Sequence, residues 1–195
     1  MARLAFAVVC FILLLYLVHG IQQRQAQSIV APQESKKKSL EVKHSKDSSR
    51  PMRLKIPKIN VDAAIEAVGI TSQGAMDVPH NIVNVGWFDL GPRPGEKGSA
   101  VLAGHFNGKH GEAGVFANLY MLKEGDKVYI QDSSGTSLAF VVHKSRTYDP
   151  GYADDVFDQN GPPHLNLITC DGIWDESKKS YTKRLVVFAD SLTEE

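Results

Sequence analysis

Three residues of the 195-residue chain could together carry out nucleophilic acyl transfer. His105 and Cys170 each follow a short apolar run, and Arg184 begins another. A cysteine attacks a carbonyl as its thiolate, and an imidazole can take the thiol proton and give a proton to a leaving amine. A guanidinium stays protonated, so its fork of donors suits the negative oxygen that develops on the carbonyl. These residue types predict an acyl-enzyme on Cys170 that is released by an amine or by water.

The chain has two cysteines, Cys10 and Cys170. Cys10 lies within an apolar N-terminal run, so we expect no disulfide between them. A lone cysteine in a cytosolic domain is commonly a small core residue, whereas a free thiol outside the cytosol is exposed to oxidation. The competing hypothesis is a non-catalytic, tethered β-barrel that binds a cell-envelope peptide and buries an inert Cys170. Alkylation of the folded protein would separate the two.

Short strands are expected to position these residues. Segments with strand composition occur at 54–61 (interrupted by Pro57, which suits an edge strand or a bulge), 98–104, 126–130, 137–143, 165–169 and 184–189. Glycine- and proline-containing turns separate them, and helix signals are confined to 115–122 and 153–157. The pattern predicts a mainly β fold, either a closed barrel or a sandwich, with one or two short helices.

Cys170 and Arg184 are 14 positions apart in the chain. That separation suits two neighbouring antiparallel strands joined by a long loop, which would return Arg184 to the side of Cys170. We expect His105, at the end of a third strand, to face both.

Several motifs resemble those of the sortase family. A Gly-His dipeptide after an apolar strand, a Leu-x-Thr-Cys motif and a downstream arginine on a strand occur at 104–105, 167–170 and 184. Further runs similar to those of class D, E and F sortases lie at 85–87, 94–98, 114–119 and 125–128. The resemblance covers roughly residues 54–190.

The resemblance implies a closed sortase-type β-barrel of about eight strands, with His105, Cys170 and Arg184 as catalytic residues and Thr169 as a substrate-binding residue, without a cofactor. It also implies a substrate: a secreted protein with a Leu-Pro-x-Thr-Gly-like sorting motif near its C-terminus, cut between Thr and Gly. The acyl group would pass to an amine of a peptidoglycan precursor or a pilin. Asp171, directly after the nucleophile, departs from the family's pattern. A carboxylate aimed at Cys170 would raise the thiol pKa.

The N-terminal segment predicts a membrane anchor. Residues 4–21 are uncharged and largely apolar, and 18 residues of helix reach roughly 27 Å, close to the thickness of a bilayer core. The run is longer than the apolar centre of a cleaved signal and no small-x-small site follows it, so an uncleaved signal anchor is favoured. Residues 1–21 are therefore assigned to a cytoplasmic N-terminus and transmembrane helix.

The polar segment 22–50 is rich in Gln, Ser and Lys and reads as a flexible linker, because it cannot bury enough apolar surface to fold. Residues 51–195 then form the catalytic domain. The predicted location is the cell membrane, with a single span and the domain outside the cytoplasm. Flanking charge supports that orientation only slightly, because Arg3 and Arg24 lie on opposite sides of the span.

Other functional classes fit less well. Basic and acidic residues balance at 22 each, so the chain has no net charge of the kind that attracts nucleic acid. His105, His110 and Glu112 lack a recognisable further ligand for zinc, and no metal is expected. The acidic group 154–158 could hold calcium but does not match an EF-hand loop, and solvated carboxylates are the preferred interpretation. A cell-wall transpeptidase with a Ser-His-Gly-Cys cluster is disfavoured, because His105 and Cys170 are 65 positions apart.

Overall fold

The structure is a computed structural model, and it describes residues 50–151 and 153–192. Its eight strands are β1 (Pro51–Ile56), β2 (Val61–Val68), β3 (Val85–Phe88), β4 (Ser99–Gly104), β5 (Lys127–Asp132), β6 (Ser137–Tyr148), β7 (His164–Asp175) and β8 (Ser180–Ser191). Two single 3₁₀ turns complete the regular structure, at Pro57–Ile59 and Leu119–Met121. The fold is therefore mainly β, as the sequence predicts.

The strands close into a barrel in the order β1-β2-β3-β4-β7-β8-β6-β5, with β5 returning to β1. The β2–β3 and β4–β7 pairs are parallel, and the other neighbours are antiparallel. The edge-strand interpretation of 54–61 is wrong, because β1 has a partner on each side. Pro57 instead starts the 3₁₀ turn between β1 and β2, where its missing N–H breaks no ladder bond.

Period-two patterning places the apolar side chains of most strands inside the barrel. This interior cluster includes Leu54, Leu102, Phe140, Leu165 and Val187, all with no exposed surface. A second, smaller cluster lies outside the barrel wall and consists of Val101, Val156, Val186 and Phe188, with Ile168 packed against it. Because β4 carries apolar residues toward both clusters, all six of its residues are buried. Such a strand reads as a continuous apolar run, which is how 98–104 appears in the sequence.

Two details differ from the prediction. The helix signal at 115–122 yields only the 3₁₀ turn 119–121, and 153–157 forms a turn in which the Val156 N–H donates to the Ala153 carbonyl. The prediction of a long loop between Cys170 and Arg184 is wrong. β7 and β8 extend beyond both residues as a hairpin whose turn spans only 176–179. A bulge at 171–174, with Gly172 at φ +79°, lets the two strands stay paired.

The predicted transmembrane helix at 4–21 lies outside the described residues. Within 50–151 and 153–192, no helix is long and apolar enough to cross a membrane.

Candidate active site

Cys170 and Arg184 are direct cross-strand partners on β7 and β8. This confirms the expectation that the two residues lie on adjacent antiparallel strands. Cys170 is half-buried and has a free thiol. It follows Asn166 and Ile168 at the two-residue period of the strand, so its side chain belongs to the outer face of the barrel wall. The pairing places a permanent positive charge beside the only thiol in the described part of the chain.

The guanidinium of Arg184 is held by its own hairpin. Its Nη1 donates to the carbonyls of Tyr181 and Lys183, at 2.9 and 2.8 Å, and its Nη2 donates to Ser180 Oγ at 3.0 Å. These bonds use three of the five guanidinium N–H donors. The remaining two are sufficient for an oxyanion, and the hairpin bonds preset the plane in which they point.

Thr169 links β4, which ends just before His105, to β7, which carries Cys170. Its side chain is buried, and Oγ1 donates to the Gly104 carbonyl at 2.8 Å across 65 positions of sequence. Ala103 and Ile168 are the last pair of the parallel β4–β7 register. His105 and Cys170 each lie two positions beyond this pair, on the segments that continue from it. The hydroxyl of Thr169 is thus engaged with backbone, and its predicted contact with substrate stays a prediction.

His105 is half-buried and is bonded on one side to the loop between β2 and β3. Its Nε2 lies 2.9 Å from the Pro79 carbonyl oxygen, and its own carbonyl accepts the Phe116 N–H at 3.0 Å. Two glycines permit this close packing. A Cβ at Gly104 would collide with the Phe116 ring, and one at Gly114 would collide with the His105 carbonyl.

Aromatic contacts tie the histidine segment to the β7–β8 hairpin. Phe106, next to His105, makes an edge contact with Tyr181 at a centroid distance of 5.6 Å. Tyr181 in turn contacts Trp174 at 5.4 Å. Because Tyr181 also accepts a bond from Arg184, the three predicted catalytic residues converge on one end of the barrel.

Burial raises the pKa of the Cys170 thiol, and the positive charge of Arg184 opposes this shift without cancelling it. The resting nucleophile is therefore a thiol near neutral pH, and it needs a proton acceptor. Asp171 does not add to the raised pKa of Cys170. Its carboxylate accepts the Thr147 hydroxyl at 3.1 Å, as expected for a residue on the opposite face of β7. The effect of Asp171 on the thiol pKa that the sequence suggested is therefore absent.

The acidic and histidine groups considered for metals are otherwise engaged. Glu112 accepts the His110 N–H at 2.9 Å, and Asp155 accepts Arg146 and the Tyr148 hydroxyl. Asp158 accepts the Asn160 N–H. Among residues 50–151 and 153–192, no three His, Cys, Asp or Glu side chains converge as metal ligands.

Sequence reasoning missed the residues that support this site. Pro79 contacts His105 through its backbone carbonyl, and Ser180 accepts a hydrogen bond from Arg184, four positions later in an irregular hairpin. Neither belongs to a recognisable motif. The one available signal was Gly114, whose place in the run 114–119 marks a close approach of two backbones.

A closed β-barrel with a cysteine, an arginine and a histidine at one end has the composition of a cysteine acyl-transfer centre. Comparison with known proteins agrees. Residues 54–192 match the family model of the sortase domain. The chain is 32% identical over 83 residues to sortase A of Bacillus anthracis, covering 43% of this chain and 38% of that protein. It therefore spans well under two thirds of the curated relative.

Solved structures of sortases are similar across most of the described domain. Sortase C-1 from Actinomyces oris has 25% identity and a TM-score of 0.59, with 73% of each chain covered. The pilus-related sortase C of Group B Streptococcus has 25% identity and a TM-score of 0.57, with 75% of this chain and 69% of that chain covered. The chain belongs to the sortase family, whose members are cysteine transpeptidases that anchor or polymerise surface proteins. The predicted likeness to classes D, E and F stays a prediction.

Proposed function

We propose that this protein is a membrane-anchored cysteine transpeptidase that cleaves a C-terminal Leu-Pro-x-Thr-Gly-like sorting signal. The single observation that carries the proposal is the register of β7 and β8, which sets the free thiol of Cys170 directly opposite Arg184. Family membership supports the reaction class.

The reaction begins when His105 takes the Cys170 proton and the thiolate attacks the carbonyl carbon of the Thr-Gly bond. Arg184 donates hydrogen bonds to the oxyanion of the tetrahedral intermediate. The C–N bond then breaks, and the imidazolium returns its proton to the leaving glycine amine. The product is a thioester on Cys170.

An amine of a peptidoglycan precursor or pilin attacks this thioester in the second half of the reaction. His105 accepts the amine proton, the C–S bond breaks and the thiol is restored. No cofactor takes part in either half. The substrates are secreted proteins that carry the sorting motif, and the proposed location is the outer face of the cell membrane, with residues 4–21 as a single span.

A panel of fluorogenic sorting peptides with an amine acceptor tests the proposal on the full-length protein in detergent. Wild type should cleave one motif and accumulate a trapped acyl-enzyme at Cys170. Cys170→Ala should abolish both, and His105→Ala should slow formation and breakdown of the acyl-enzyme, because one imidazole handles the proton in each direction. Matched controls are Cys10→Ala and His110→Ala, which should keep wild-type rates.

The alternative, a non-catalytic barrel that binds a cell-envelope peptide, predicts a different result. Peptides would bind with no cleavage and no covalent adduct, and Cys170 would resist alkylation in the folded protein. That combination would refute the transpeptidase proposal.

A further inference from the structure

The peptide unit between Pro79 and His80 is hydrogen-bonded at both ends. Its N–H, on His80, donates to Glu66 Oε1 at 2.8 Å. Its C=O, on Pro79, lies 2.9 Å from Nε2 of His105. The two groups belong to one planar, conjugated amide. A carboxylate on β2 is thus connected to the imidazole of the active site through a single rigid unit.

The bond to Pro79 determines which nitrogen of His105 carries the proton. A carbonyl oxygen can only accept, so Nε2 must be the donor. In the neutral ring, Nδ1 is then the nitrogen with a free lone pair, and it is the atom that takes and returns a proton during the reaction. The same bond is kept, and strengthened, when the ring becomes an imidazolium.

Glu66 strengthens this bond. A carboxylate that accepts from the N–H end polarises the amide and makes its carbonyl a stronger acceptor for His105. The carboxylate oxygen lies at most roughly 8 Å from Nε2, given the two bond lengths and the width of a peptide unit.

The surrounding packing holds the unit in place. Glu66 is the register partner of Gly86 in the parallel β2–β3 pair. A Cβ on Gly86 would come within 3.2 Å of the Pro79 ring, so the buried proline lies directly over this glycine. Farther along the loop, Ile82 accepts the Val115 N–H at 2.8 Å and fastens it to the segment after His105.

We propose that Glu66 is a positioning residue for His105, acting through the Pro79–His80 peptide unit to hold the ring orientation and the tautomer that carries its proton on Nε2. The proposal rests on the proposed transpeptidase function, in which His105 transfers the proton. Its role resembles that of a carboxylate that orients a catalytic histidine directly, with an amide interposed.

The other ionisable groups near this arrangement are few. The His80 ring places Nδ1 3.4 Å from Glu66 Oε2 and is 90% exposed. Cys170 and Arg184 lie on β7 and β8, on the other side of His105. β3, which pairs with both β2 and β4, contributes no ionisable side chain.

Glu66→Gln removes the charge while keeping an oxygen that can accept the His80 N–H. Its kcat/KM should fall by roughly 3- to 30-fold, which corresponds to the interaction of unit charges about 8 Å apart at an effective dielectric between about 80 and 20. Glu66→Ala, which also removes the acceptor, should lose more, and a larger share of its His105 should carry the proton on Nδ1.

The measurement uses full-length protein with labelled histidine, and NMR reads which ring nitrogen of His105 carries the proton, with the signal assigned by comparison with His105→Ala. kcat/KM is measured in parallel. Asp62→Asn is the matched control, because Asp62 is a carboxylate on the same strand, paired with Arg53. It should leave the tautomer and kcat/KM at wild type. His80→Ala should keep the tautomer of His105, because the backbone N–H remains.

Three results would overturn the inference: a wild-type tautomer of His105 in Glu66→Ala, an equal change of tautomer in Asp62→Asn, or an equal change in His80→Ala. A loss of turnover that comes with a lower melting temperature and an unchanged tautomer would show a structural role only. If wild type proved inactive on every peptide, the proposed function would fail, yet the NMR measurement would still decide whether Glu66 acts on His105.

Discussion

Replacing Arg184 by glutamine should raise the pH at which Cys170 becomes reactive. Burial raises the pKa of the thiol, and the Arg184 charge is the opposing influence. Glutamine is shorter than arginine but can still hydrogen-bond, and it carries no charge. In Arg184→Gln, the Cys170 thiolate should therefore form only at a higher pH than in wild type.

The magnitude follows from the cross-strand pairing of the two residues. Directly opposed residues have Cβ atoms about 4.5–5.5 Å apart. Unit charges separated by about 6 Å interact by about 0.7 kcal/mol in water and by about 2.8 kcal/mol at an effective dielectric of 20. Because Cys170 is only half-buried, solvent screening favours the lower half of this range.

The assay is the rate of alkylation of Cys170 by iodoacetamide across pH, read by peptide mass in full-length protein carrying Cys10→Ser. Arg184→Lys keeps the charge and should keep the wild-type midpoint. Arg53→Gln is the control, since Arg53 lies on β1 and forms its ion pair with Asp62 on β2. A midpoint in Arg184→Gln that matched wild type would refute the reasoning, because the ionisation of the thiol would then be independent of Arg184.

Turnover of the same variants distinguishes the contribution of the Arg184 charge from that of its planar geometry. Arg184→Lys loses the planar fork that Ser180 and the hairpin carbonyls orient. Loss of an oxyanion donor costs on the order of 10²–10³ in turnover, so Arg184→Lys should be slow despite a normal thiol titration. Wild-type turnover in Arg184→Lys would instead mean that a positive charge alone is sufficient.

Three further predictions concern the supports of the site and the anchor. Thr169→Val should lower the free energy of unfolding by about 1–3 kcal/mol in chemical denaturation, because it leaves the Gly104 carbonyl without the buried hydroxyl; Thr169→Ser should restore it. Gly114→Ala should reduce acyl-enzyme formation strongly, since its Cβ collides with the His105 carbonyl; normal formation by mass measurement would show that the loop can move aside. Full-length protein should sediment with membranes and a fragment beginning at Arg50 should stay in solution, whereas recovery of secreted protein lacking its first residues would indicate a cleaved signal.

The amino-acid sequence was enough to predict the mainly β class and the adjacency of Cys170 and Arg184, whereas its pattern left a closed barrel or a sandwich open and the family resemblance implied the barrel. The mainly β class could be predicted because its signals are local. Short apolar runs between turn residues specify strands, and a fully apolar run such as 98–104 specifies a strand buried on both faces. The chemistry of Cys170, His105 and Arg184 follows from residue type, which tertiary structure does not alter.

Tertiary structure alone decided how those residues are held. The hairpin that carries Arg184, the hydroxyl of Thr169 on a β4 carbonyl and the link from Glu66 to His105 all join positions far apart in sequence or use backbone atoms. Every residue but proline has the same backbone donor and acceptor, so residue type does not predict such a bond. Glu66 in particular looks like any polar residue on a strand. Its importance depends on the peptide unit that the fold places against it, because a hydrogen bond is determined by the relative position of two groups and not by their identity alone.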